Sequence, residues 1–274
     1  MWVLAVNWKI LLAATFLLIP CFSMPGAVAF DRNTDENQYQ IHQVQEKLVH
    51  DATPYLLPQN HPLKPILDSI FPTRDIIRNE KALSSTGFII LRAQKQSGVL
   101  LIKHPLLEGY IIKLYLDSQQ HHRKSYSQQD WLVQRCRGAA QLRKIIATRH
   151  FDHFTVPDKW LYELPPKAGA LGSHTYAVVA TYMHLVNKKD THKAWKEKAT
   201  KKDLRELFFL MKHGGASGAL VLNTPYTVES KFTFIDTEYP DRFFKKKKLA
   251  KVAHYFSHEN QRYWFFLLRK YGGC

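Results

Sequence analysis

The sequence predicts an α+β fold, a small antiparallel sheet followed by a mostly helical second part. Three observations carry this expectation. The runs "GFIILRAQ", "GVLLIKHP" and "GYIIKLYL" are short, rich in Ile, Leu and Val, and each begins at a glycine, as strands joined by tight turns do. Directly after them, "SQQDWLVQRCRGAAQLRKIIATRHF" places Trp131, Leu132, Cys136, Ala139, Ala140 and Ile146 at helical spacing, which predicts a helix over about 128–149. Further on, "KKDLRELFFLMKHGG" sets Leu204, Leu207, Phe208 and Met211 on one face and stops at glycine, the pattern of a second amphipathic helix.

Taken in order, residues 1–29 come first: Lys9, the apolar run "ILLAATFLLIP", then Ala27-Val28-Ala29. A basic start, a short apolar core and small residues before a polar stretch predict a secretory signal cleaved before Phe30. Retention as a membrane anchor is the alternative, against which the core falls short of the ~20 residues a span needs. The expected product is exported, secreted or periplasmic, with delivery into another cell left open. Residues 30–84 form an N-terminal extension expected to pack on the main domain. Its short helices are "IHQVQEKLVHDA" and "LKPILDSIF", among prolines at 54, 58, 62 and 65. The main domain spans 85–274. After the three strands and the long helix, "VPDKWLYELP" and "TYAVVATYMHLV" predict two more extended segments. "NKKDTHKAWKEKATKKD" reads as a lysine-rich linker, "ALVLN" and "KFTFID" as two short strands, and "KLAKVAHYFSHENQRYWFFLLRKY" as a closing helix.

The formal charge is +16, and +15 without Lys9. Lysines crowd the linker and "FFKKKKLAK", so one expected partner is an anionic macromolecule: nucleic acid, a membrane surface or an acidic protein. No zinc-finger spacing or RNA-binding signature accompanies the lysines. The mature chain keeps Cys136 and Cys274; Cys136, inside the long helix, is expected to be a packed thiol, so stability rests on the core.

The chemistry-bearing stretch is "SKFTFIDTEYPDR", where Phe232, Phe234 and Asp236 alternate with Lys231, Thr233 and Ile235 before the strand ends beside Glu238. Two carboxylates there, with Asn223 13 positions before Asp236, carry a repulsion that calls for a cation. Lys113 stands on the third strand, flanked by Ile111, Ile112 and Leu114.

Three strands with a lysine, a helix, a strand and linker, then a helix, a loop ending in asparagine and a hairpin ending in aspartate: this succession resembles the protein-kinase-like fold, including its aminoglycoside and small-molecule phosphotransferase branches. The resemblance covers about residues 85–245. It implies a small antiparallel-sheet N-lobe over about 85–182 and a reduced helical C-lobe over about 190–274. It further implies Lys113 on nucleotide phosphates, Thr181, Tyr182 and Met183 lining the adenine slot, and Asn223, Asp236 and Glu238 around magnesium. The cofactors implied are ATP and magnesium. The chain departs from the family at the catalytic base, which falls on Gly218 or, with a lengthened loop, on Gly215; His213 is the one nearby substitute. The helix after Lys113 carries Arg135, Arg137 and Arg143 where the family has a glutamate, leaving Asp130 as the only carboxylate on offer, and "RAQKQSGVLL" has a single glycine. The implied function is a secreted, pseudokinase-like domain that binds nucleotide with weak or no phosphoryl transfer. The alternative is a non-enzymatic secreted basic protein that binds an anionic partner.

Overall fold

The computed structural model describes residues 43–93, 98–118, 127–167, 174–240 and 246–272. The expected signal segment with its cleavage point, residues 94–97 and Cys274 lie outside them.

The three glycine-led runs form strands β1 (Ile89–Ala93), β2 (Leu100–Lys103) and β3 (Tyr110–Leu114). They pair antiparallel in sequence, with an irregularity between Ile90 and Arg92 in β1. The chain then builds the long helix α4 (Gln128–Arg149), the short strand β4 (Phe154–Thr155), and strands β5 (Lys159–Glu163) and β6 (Tyr176–Thr181). β6 pairs with β3 and with β5, so the five-stranded sheet has the order β1-β2-β3-β6-β5 and is antiparallel throughout.

The alternation of strand residues sends each face of this sheet to a different partner. Leu100, Ile102, Ile112, Leu114, Ala177 and Val179 face the N-terminal extension, burying against Leu63, Leu67, Phe71 and Ile77. The extension contributes helices α1 (43–52), α2 (Leu63–Ile70) and α3 (Glu80–Ser85). It also covers the sheet edge, where the Leu57 N–H donates to the Leu161 carbonyl at 2.8 Å. The opposite face, through Leu161, Tyr176, Val178 and Ala180, packs on Leu132, Val133 and Cys136 of α4 and on Leu48 and Ala52 of α1. Cys136 is a free, buried thiol, pushed up to about 12 by burial.

The second core gathers the helices after β6: α5 (Lys188–Glu197), α6 (Lys201–His213), α7 (Leu220–Asn223), α8 (Lys246–Ala250) and α9 (His258–Tyr271). Trp195 and Trp264 are fully buried at its centre, beside Phe234 and Met211. A short parallel pair, β4 with β7 (Phe232–Thr233), joins the two halves of the sequence there. Among the described residues no helix is long and apolar enough to cross a membrane.

Three expectations need correction. The lysine-rich linker is largely helix: Asn187 caps α5 by accepting from the Asp190 N–H, and Thr191, Ala194 and Trp195 supply the buried stripe that the lysines obscure. "ALVLN" is not a strand but the helical turn α7, closed by the Asn223 N–H donating to the Ala219 carbonyl at 2.8 Å. "KFTFID" keeps only Phe232–Thr233 as strand, because its partner β4 is itself two residues long: the Phe234 N–H still donates to the Thr155 carbonyl at 3.0 Å, but the next N–H, of Ile235, donates to Asn223 at the end of α7.

Candidate functional site

A cleft of about 430 Å³ opens beneath the inner face of β1–β3. Its apolar wall is Val99, Leu101, Leu222 and Ile235; its cations are Arg92, Lys113 and Arg135; its remaining polar groups are Asn223 and Asp236. The volume falls within the range of small-molecule sites, roughly 300–1,000 Å³.

Each polar group is placed by its own element. On β3, Ile112 and Leu114 turn to the extension, so Lys113 between them turns inward, half-buried, and its Nζ donates to the Ile235 carbonyl at 3.1 Å. Asn223 and Asp236 meet through an irregular hairpin. The N–H groups of Ile235 and Thr233 donate to the carbonyls of Asn223 and Pro225 at 3.0 and 2.9 Å, and the Thr227 N–H donates to the Lys231 carbonyl at 2.8 Å. The Asn223 amide nitrogen donates to Ser217 Oγ at 2.8 Å, which orients the side chain.

Helix α4 rests directly on the segment after β7. A Cβ on Gly138 would lie 2.1 Å from the Thr237 carbonyl oxygen, so only glycine allows this approach. Thr237 Oγ1 donates to the Arg135 carbonyl at 2.6 Å, and Lys159 Nζ donates to Thr237 Oγ1 at 2.8 Å and to the Ile235 carbonyl at 3.1 Å.

The two carboxylates lie against each other, and a guanidinium balances them. Arg135 Nη1 donates to Asp236 Oδ1 at 2.8 Å, and Nη2 lies 3.3 Å from Glu238 Oε2. Burial alone would raise the Asp236 carboxyl; Arg135, with Lys113 and Lys159, outweighs it and holds the group at about 2. Burial, and then the Arg135 charge, pull Lys113 down to about 8. Burial and the neighbouring Lys113 push Lys159 well below the usual lysine range. The cation that the paired carboxylates call for is therefore a side chain of this chain. As it stands, the donor set does not fit a divalent metal, because the carboxylates are already balanced by a guanidinium amid further positive charge.

The cleft thus brings together Lys113, Asn223 and Asp236, with Glu238 behind them on Arg135. Tyr182 and Met183 are not among its lining residues. The Tyr182 N–H is tied to the Gly109 carbonyl at 2.7 Å, and its ring packs under Lys103 Nζ, 4.9 Å from the centroid, and beside His184. Asp130 closes the capping box of α4 with Ser127 and so does not pair with Lys113.

Neither glycine offers a vacant base position. Gly215 has φ +68°, and a Cβ there would sit 2.0 Å from the Tyr239 carbonyl oxygen. A Cβ on Gly218 would meet Val252 and Met211 at 3.4 and 3.5 Å, so a side chain there heads for apolar neighbours. His213 is outside the cleft lining and packs on Phe209, with ring centroids 4.4 Å apart.

Arg135 and Lys159 are the site residues whose part was not legible beforehand. The available signal was a cation on a buried stripe: Arg135 shares the face of Trp131, Leu132 and Cys136, and Lys159 shares the face of buried Leu161 on β5. No protein-family model and no curated protein matches this chain.

Proposed function

We propose that the chain is a secreted, protein-kinase-like domain that binds a nucleotide and carries out little or no phosphoryl transfer. The observation that carries this reading is the convergence of Lys113, Asn223 and Asp236 on one cleft, under a sheet ordered β1-β2-β3-β6-β5. A strand-borne ammonium beside an apolar wall suits a polyphosphate attached to a flat base. Transfer depends on a carboxylate that orients the attacking hydroxyl, and the position that should bear it is Gly218 or, with a lengthened loop, Gly215. Nucleotide at millimolar concentration is expected to raise the melting temperature, and Lys113→Met to abolish the increase while leaving the unliganded protein folded. The absence of any shift in the parent protein removes this reading.

The second reading, a basic protein that binds a polyanion, has its own support. Lys188, Lys189, Lys193, Lys196 and Lys198 are all exposed on or just after α5. Binding to heparin or duplex nucleic acid should then fall steeply with salt, through counterion release. Salt-insensitive binding rules it out.

A further inference from the structure

The geometry points to a cleft that takes the nucleotide polyphosphate without a divalent metal, Arg135 standing in place of the ion. This inference rests on the nucleotide-binding reading and concerns how the same cleft balances phosphate charge.

Where a divalent metal serves phosphoryl transfer, acidic side chains and phosphate oxygens share it, and it removes their mutual repulsion. In this chain that task is already done by a group on α4. The Arg135 guanidinium spans both carboxylates, at 2.8 Å from Asp236 Oδ1 and 3.3 Å from Glu238 Oε2. It is 3% exposed and its backbone is pinned by Thr237, so it is not a side chain that swings away at little cost. Displacing it for a metal would leave a buried arginine charge unpaired, which is strongly unfavourable.

Two further observations point to an anionic ligand. Arg135 Nε is a buried donor with no hydrogen-bond partner among the described residues, in a side chain that lines the cleft. Lys113, also in the lining, donates to a backbone carbonyl rather than to a carboxylate, so its charge is still available. With Arg92, the cleft wall holds three cations against Asp236 in the wall and Glu238 behind it on Arg135, so positive charge still exceeds negative. A ligand bearing two or three phosphates supplies the missing negative charge directly, whereas a metal would add positive charge to a wall that already has an excess.

The test is titration of the full mature chain with ATP, by calorimetry and thermal shift, in excess EDTA and in excess magnesium at equal ionic strength. Affinities within about threefold of each other are expected, and magnesium alone, without nucleotide, should leave the melting temperature unchanged. Binding that requires magnesium, or a parent protein stabilised by magnesium alone, overturns the inference while the nucleotide-binding reading survives. No ATP binding in either condition removes both. Arg135→Met takes the guanidinium away from the two carboxylates and should convert the site to one stabilised by magnesium. If that variant does not fold, Arg135→Lys keeps the charge but loses the two-pronged contact, and should bind ATP in EDTA at least fivefold more weakly than the parent. Unchanged EDTA affinity in Arg135→Lys counts against the role given to the guanidinium.

Discussion

Asp236 shows how one carboxylate ties the cleft to the stability of the whole chain. Its pKa is held at about 2, below the ordinary 3.8, so its ion pair stabilises the fold fully above about pH 4 and is lost as pH falls through about 2. That shift corresponds to about 2 kcal/mol. Asp236→Asn should therefore cost about that much in urea unfolding at pH 7, with the difference from the parent shrinking toward pH 2. A cation-free cluster of repelling carboxylates would have behaved oppositely, gaining stability from the substitution; Arg135 reverses the sign. The glycines of the preceding loop make a second residue-level contrast. Gly215→Ala forces a Cβ onto the Tyr239 carbonyl at a positive φ and should cost about 3 kcal/mol or more, whereas Gly218→Ala should stay within about 1 kcal/mol. Gly218→Asp should leave phosphoryl transfer at background in a radiolabelled-ATP assay, because the new side chain starts toward Met211 and Val252 rather than toward the cleft.

Helix α4 is the element that unites the two carboxylates with the sheet, and its start is set locally. Ser127 accepts from the Asp130 N–H, and Asp130 accepts in return from the Ser127 N–H at 2.9 Å. Ser127→Ala should cost about 1 kcal/mol in chemical denaturation, a capping effect that leaves the cleft's ligand affinity unchanged. This helix was legible because its apolar spacing persists over many turns, and β1–β3 were legible because glycine punctuates them. α5 and α7 were not, for opposite reasons. In α5 the lysines outnumber the stripe of Thr191, Ala194 and Trp195, so composition hides periodicity; in "ALVLN" the apolar run is too short to distinguish period 2 from period 3.6. The cleft divides in the same way. Lys113, Asn223 and Asp236 could be found from order along the chain, since each ends or occupies a recognisable element. The Arg135–Asp236 pair joins residues 101 positions apart, and no local pattern announces such a partnership.

At the scale of the molecule, the N-terminal extension is part of the core rather than an ornament on it. One face of the sheet carries Leu100, Ile102, Ile112, Leu114 and Val179, and what covers them is Leu63, Leu67, Ile70, Phe71, Ile76 and Ile77. A sheet with two apolar faces must be covered on both, and α4 can serve only one of them. Arg74 fastens the arrangement from the side, its Nη2 donating to Asp117 Oδ1 at 2.6 Å, just beyond β3. Leu67 is fully buried in this layer, so Leu67→Ala should cost about 2–5 kcal/mol by differential scanning calorimetry. Removing the layer altogether is the harsher test. A chain beginning at residue 85 retains every residue lining the cleft, yet it exposes the outer face of β2, β3 and β6 and frees the β5 edge that Leu57 covers. It should be recovered aggregated, or show no cooperative thermal transition, because a contiguous apolar face of that kind is not tolerated by a soluble monomer. If the truncated chain instead melts cooperatively within a few degrees of the parent, the extension is dispensable and the sheet face must find other cover. The cleft depends on the same layer: Lys113 faces inward because Ile112 and Leu114 are held outward, so whatever loosens the extension should weaken ligand binding before it unfolds the chain.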